Sequence, residues 1–184
     1  MAKVKFGLKN VHIAVKSDST SAPYATPIKF PGAKSLSLEA QGDISKFYAD
    51  DIVYYQTAAN NGYEGDLEMA LFTDEIRTAV LQEIEDAKKV LFEDASKTSK
   101  AFALLFEITT DTKATRFCFY NCTMTRPSIG SDTKEESVEP GTDSVTISCA
   151  PNADGIIRCK TTEDTDATVY NKWYESVYQK SEAA

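Results

Sequence analysis

Apolar side chains recur at every second position along two stretches of Ala101–Arg126, either side of a short polar turn, and predict two long paired strands. Phe102, Leu104, Phe106 and Ile108 share one face of the first strand. On the return strand Phe117 and Phe119 line one face with Asn121, and Cys118, Tyr120, Cys122 and Met124 line the other. Both faces of the hairpin therefore carry large apolar groups. This predicts cover by the domain's own core on one side and by something else, such as another copy of the chain, on the other.

The same alternation at Val11, Ile13 and Val15 predicts a strand over 7–16, and shorter strands follow at Ile28–Phe30 and Ser35–Glu39, parted by the turn pair Pro31-Gly32. Aromatic and β-branched residues over Lys46–Gln56 predict an extended segment. Asn60-Asn61-Gly62 is read as a hairpin turn into a strand over Tyr63–Leu71. Thr73 offers an N-cap to a helix over roughly 74–84, with Asp74 and Glu75 in its first turn and Ile76, Val80 and Leu81 or Ile84 at helical spacing. Lys89–Glu93 is read as a short strand or loop. Strands near Asp143–Cys149 and Ile156–Lys160 flank the turn Pro151–Gly155. Val169, Tyr170, Trp173, Tyr174 and Val177 form a stripe on a second helix within Asp166–Tyr178. The order predicts a mainly β (α+β) domain: two packed antiparallel sheets or a partly closed β-barrel, with one flanking helix and a C-terminal helix.

Length suits one domain over 1–184, since no linker-like composition divides its 184 residues. No apolar run is long enough for a membrane helix, and the N-terminus lacks the apolar run of a signal peptide, which predicts a protein made and kept in a cytoplasm. Cys118, Cys122, Cys149 and Cys159 show no C-x-x-C spacing. Cys118 and Cys122 would stand roughly 13 Å apart on one strand, so free buried thiols are expected. A net charge of −8 argues against a protein that grips nucleic acid by neutralising phosphates. The acid is distributed in small clusters, among them Asp50-Asp51, Glu64/Asp66/Glu68 and Glu135/Glu136.

Motifs for catalysis are missing. The single histidine, His12, has no metal-ligand spacing to Cys, Asp or Glu and leaves a serine nucleophile without a recognisable base. Glu64, Asp66 and Glu68 share one strand face, a pattern open to Ca²⁺ or acid–base chemistry and equally to plain solvation. Asn121-Cys122-Thr123 matches a glycosylation sequon, read as coincidental. Phe47-Tyr48 and Tyr54-Tyr55 beside Asp50-Asp51 place several aromatics on a long projecting hairpin, in a projecting loop around 40–62, a composition enriched at protein interfaces. Together with the two-faced hairpin they predict self-association through sheet edges.

The series Gly7-Leu-Lys-Asn-Val-His-Ile-Ala14, Tyr48-Ala-Asp-Asp51, Asn61-Gly-Tyr-Glu-Gly65, Phe102-Ala-Leu-Leu-Phe-Glu107, Arg126-Pro127, Thr133-Lys-Glu135 and Tyr170-Asn-Lys-Trp173 resembles, in order and over nearly the whole chain, the phi13-type major tail proteins of long-tailed bacteriophages. The resemblance implies a virion tail-tube subunit with no catalysis or cofactor, whose copies join into hexameric rings and stack into a tube. It implies inter-ring contacts at Phe47, Tyr48, Asp50, Asp51, Tyr54 and Tyr55, and ring-forming or lumen strands carrying Glu64, Asp66, Glu68, Phe117, Phe119 and Tyr120. Tape-measure, tail-tip and tail-terminator proteins would be its partners. DNA would be transient cargo in a lumen whose acidity repels phosphate, and no membrane is involved. Two other readings stand beside it: a small-molecule-binding β-barrel with Trp173 and Tyr174 closing an apolar cavity, and the tube of a related injection system. A short polar tail is expected at 179–184.

Overall fold

A computed structural model describes residues 2–19, 23–131, 133 and 140–181. Lys134, Glu135, Glu136 and the last three residues of the polar tail lie outside the described residues.

Alternating burial along each long strand generates one curled antiparallel sheet. Its path runs β2 (Ile28–Lys29), β1 (Lys5–Val15), β9 (Phe102–Thr110), β10 (Thr115–Met124), β11 (Asp143–Cys149), β6 (Gly62–Met69), β3 (Ala33–Gln41), with β12 (Arg158–Lys160) also on β10. Phe102, Leu104 and Phe106 of β9, Val145 and Ile147 of β11, and Leu67 and Met69 of β6 all point into one core. Although β1 and β3 end the main run of strands, Lys5 shares a cleft with Leu36 and Leu38, and Leu8–Val11 share another with Gly32 and Ala33. The sheet thus curls until β1 and β3 face each other across these clefts, without closing into a hydrogen-bonded barrel. It is a mainly β, partly closed barrel rather than two separate sheets.

The register defines two ends. One holds Gln41, Gly62, Cys149, Thr115 and Lys5; the opposite end holds Ala33, Met69, Asp143, Met124 and Phe102. α1 (Asp74–Ala79) plugs the second end, burying Ile76, with Val80 and Leu81 beyond it also buried. The helix is shorter than its apolar spacing predicts. Gln82 adopts φ +59°, its amide donates to the Thr98 carbonyl, and Ile84 leaves the helix for the small exposed pair β7 (Ile84–Glu85) and β8 (Leu91–Phe92).

The second apolar face of the hairpin is covered by the chain itself and needs no second copy. Ala14, Ala103, Leu105, Cys118 and Tyr120, on the outside of the barrel, bury Trp173 and Val177. The aromatic stripe is helical only over α2 (Ala167–Asn171), where the Asp166 carboxylate accepts from the Thr168 and Val169 amides. Its continuation in turns brings Trp173, Tyr174 and Tyr178 down on the sheet. Trp173 and Tyr174 therefore pack outside the barrel and close no internal cavity, contrary to the binding-barrel reading. His12 lies against Tyr174 with ring centroids 4.5 Å apart, and burial pushes its pKa down.

The facing of β10 is also corrected. Phe117 and Phe119 stack on Phe106 in the main core, and Cys118 and Tyr120 face outward, as alternation requires. At Asn121, φ is +47° and the pairing with β9 slips between Phe119 and Cys122. This bulge returns Cys122 and Met124 to the main core, on the side opposite to that predicted. All four cysteines are free thiols and stand as cross-strand neighbours, Cys118 opposite Cys159 and Cys122 opposite Cys149. The Cys122 and Cys149 sulfurs lie 2.8 Å apart.

Candidate assembly surface

Between β3 and β6 the chain leaves the barrel. β4 (Ile44–Ala49) and β5 (Ile52–Ala58) pair only with each other, and hydrogen bonds from Ala59 to Asp43 and from Asn61 to Gln41 splice this ladder onto the β3–β6 pair. Lys46–Gln56 is accordingly two strands of one projecting hairpin, as the aromatic pairs predict. The reversal falls at Asp50-Asp51, whose φ values of +52° and +62° are those of a two-residue primed turn. Asn60-Asn61-Gly62, expected as the reversing turn, lets the chain pass straight into β6. Gly62 has φ +122°, and a Cβ there would meet the Cys149 carbonyl oxygen at 2.0 Å. The arm spans roughly 25 Å at about 3.3 Å per residue.

The arm is apolar on both faces. Phe47 opposes Tyr55, and Tyr48 opposes Val53; alternation puts these pairs on opposite faces, and Tyr54 is the extra residue of a bulge. Phe47, Tyr48 and Tyr55 are each 61 % exposed and Tyr54 71 %, with Ile44 and Ile52 also exposed. Covering a group of this kind fully is worth about 1.5–3 kcal/mol, so the arm withholds several kcal/mol of burial from the isolated fold. A monomer gains nothing from that arrangement. Scattered exposed apolar groups are ordinary, whereas a contiguous two-faced arm is a candidate contact surface.

A second surface lies on the outer side of β11, β6 and β3. Glu64, Asp66 and Glu68 point outward from β6, flanked by Ser148, Thr146 and Ser144 on β11 and by Glu39, Ser37 and Ser35 on β3. Small hydroxyl groups and carboxylates make up this face. Thr146 donates to Asp66 at 2.8 Å, and Glu68 accepts from Lys34, Ser35 and Thr142 at 2.8, 3.1 and 2.5 Å. The Lys34 ammonium, then the Thr142 hydroxyl, pull the Glu68 carboxyl from its ordinary 4.5 down to about 2. Because the folded value is depressed, the contribution of Glu68 is complete above pH 4.5 and is lost as pH falls toward 2. Denaturation midpoints of wild type and Glu68→Gln should therefore differ at neutral pH and converge between these limits; a gap that is constant with pH would refute the assignment.

Glu39 stands directly opposite Glu64, both exposed, and like charges across a strand pair are destabilising. Glu39 was missed in the sequence because only its register partner gives it meaning. Glu39→Lys should raise stability by a few tenths to about 1 kcal/mol in denaturant titration, and no change would show that the repulsion is screened away.

The remaining sequence-predicted residues fall inside. Phe119 and Tyr120 are buried on opposite sides of β10, and Phe117 is half-buried beside Phe106. Phe117 and Phe119 pack in the main core, and Tyr120 packs under Trp173 on the outer face. Arg116, also missed, is tied to Glu107 at 2.9 Å and lies under the Tyr170 ring at 3.9 Å, locking α2 to the barrel. Among the described residues no cluster of His, Cys, Asp and Glu could hold a metal ion, and no helix is long and apolar enough to cross a membrane.

No family model matches the chain, and no curated protein sequence does. Among solved structures it is similar to a chain in the cryo-EM structure of an extracellular contractile injection system, the PVC sheath–tube complex in its extended state. The likeness covers 83 % of this chain and 88 % of that one, at 11 % identity and a TM-score of 0.48.

Proposed function

We propose that the protein is a structural, self-assembling subunit of a tail-like tube, without catalysis. The observation that carries this is the β4–β5 arm, whose apolar groups on both faces can be covered only by neighbouring molecules. Copies join into rings, for which six is the expected number from the phi13-type resemblance, and the rings stack through Phe47, Tyr48, Asp50, Asp51, Tyr54 and Tyr55. The outer face of β11, β6 and β3 is the candidate lumen wall. Glu64, Asp66 and Glu68 would repel a phosphate backbone, the surrounding hydroxyls carry no charge and Lys34 is engaged by Glu68, so DNA would slide past. Retention of the Glu39–Glu64 repulsion is consistent with a surface kept acidic for its field rather than for folding. A tube of a phage tail and a tube of an injection system make the same demands of the subunit. In the phage setting, tape-measure, tail-tip and tail-terminator proteins would set tube length and ends, and the assembled protein would reside in the virion.

Purified protein should form rings or hollow tubes in negative-stain electron microscopy as concentration rises, or as salt screens its net charge, with a parallel rise in scattering mass. A monodisperse monomer throughout the series would count against self-assembly of this chain alone.

A further inference from the structure

If the arm is an assembly device, as the preceding reading holds, the remaining question is what receives it. Besides Val4 and Phe6 at the start of β1 and a lone Ile129, the large exposed apolar groups of the described residues outside the arm fall in the segment 71–92. Leu71, Ile84, Val90 and Phe92 are 67, 52, 50 and 53 % exposed. Ile84 and Phe92 are direct cross-strand partners in β7–β8 and so present one shared face. Strand register places Leu71, which follows Met69, at the barrel end opposite the arm. Arg126 anchors the β7–β8 pair to the end of β10, with its guanidinium 3.0 Å from Glu93 and 3.9 Å from Glu83. The surface is also braced before any partner arrives, because the Asp86 carboxylate accepts from the Lys88 and Val90 amides, Lys89 pairs with Glu85, and the turn so fixed presents Lys88.

We infer that the β4–β5 arm of one copy docks against the β7–β8 surface of the next copy, head to tail. The occupant is a second copy because the two surfaces match on one molecule. Each is apolar, they lie at opposite ends, and the acidic turn Asp50-Asp51 complements Lys88, whose neighbour Lys89 is already paired with Glu85. Two different patches at opposite ends make a heterologous contact, which propagates along an axis instead of closing into a dimer. Stacking polarity is thereby built into the subunit.

The test uses two full-length variants, each altered only at exposed positions. A donor-defective chain carries Phe47→Ser, Tyr48→Ser, Tyr54→Ser and Tyr55→Ser; a receiver-defective chain carries Ile84→Ser and Phe92→Ser. Thermal midpoints are first checked against wild type. Each variant alone should fail to stack, stopping at monomers or single rings under conditions where wild type forms longer assemblies. Their equimolar mixture should give a complex of 1:1 composition by sedimentation, about twice the mass of either variant's own species, since one retains the arm and the other the receiving surface. Asp50→Asn with Asp51→Asn, which keep side chains tolerant of positive φ, should weaken that complex about five- to tenfold and flatten its salt dependence. Wild-type-like assembly of the receiver-defective chain, or no complex in the mixture while wild type assembles, would overturn the docking and leave self-assembly standing. If wild type itself never associates, both readings fall together.

Discussion

Arg116→Ala is expected to cost about 3–5 kcal/mol of folding stability, the range for removing one partner of a buried ion pair. Arg116 and Glu107 are paired at 2.9 Å with both side chains largely covered, so alanine would strand the Glu107 carboxylate in the barrel wall. The guanidinium also donates to the Tyr170 carbonyl and lies beneath the Tyr170 and Tyr174 rings, so α2 would lose its electrostatic anchor. Arg116→Lys should recover only part of the loss, because an ammonium cannot reproduce the planar fork and the stacking. Chemical denaturation of the three proteins decides it: a deficit below about 1 kcal/mol for alanine would mean that water reaches Glu107 and the pair is effectively a surface one.

Trp173→Ala should be of similar size, about 3–5 kcal/mol, the usual cost of deleting a buried large aromatic. The indole is 3 % exposed, its Nε1 donates to the Phe117 carbonyl at 3.4 Å, and it covers the cluster that includes Leu105, Cys118 and Tyr120. The loss should not depend on protein concentration, because the cover comes from the same chain. A deficit that vanished at high concentration would indicate that a second copy can supply the cover after all. The Tyr120 hydroxyl offers a spectroscopic check: it donates to the Tyr178 carbonyl at 2.6 Å, and burial drives its ionisation far above the ordinary 10. Its phenolate should emerge in alkali only on unfolding in wild type, and earlier in the variant.

Period-two alternation made most of the barrel legible beforehand. Strands near Val11, Leu36, Phe102, Phe117 and Ile147 were readable because burying one face of a strand forces that spacing whatever the partners are. The arm was legible as a projecting aromatic loop, but its reversal was misplaced. Asn60-Asn61-Gly62 carries the stronger turn composition, yet the positive φ values that reverse the chain belong to Asp50 and Asp51. The bulge at Asn121 was invisible for a related reason: an extra residue in one strand is defined by the partner strand's register, here the slip between Phe119 and Cys122. The two helices were read too long, since apolar spacing continues through Ile84 and Val177 while the backbone leaves the helix at Val80 and Lys172.

By itself the sequence determined the mainly β class, the apolar inventory of the core, the acidic stripe Glu64, Asp66 and Glu68, and the aromatic arm, because each is written in local spacing and side-chain type. Tertiary structure alone decided that the outer face of the 102–124 hairpin is covered by Trp173 and Val177 of the same chain, that Glu39 confronts Glu64, and that the two exposed apolar surfaces lie at opposite ends. Those facts depend on which distant segments meet and in what register. Such contacts form between residues tens of positions apart, where no local periodicity records them.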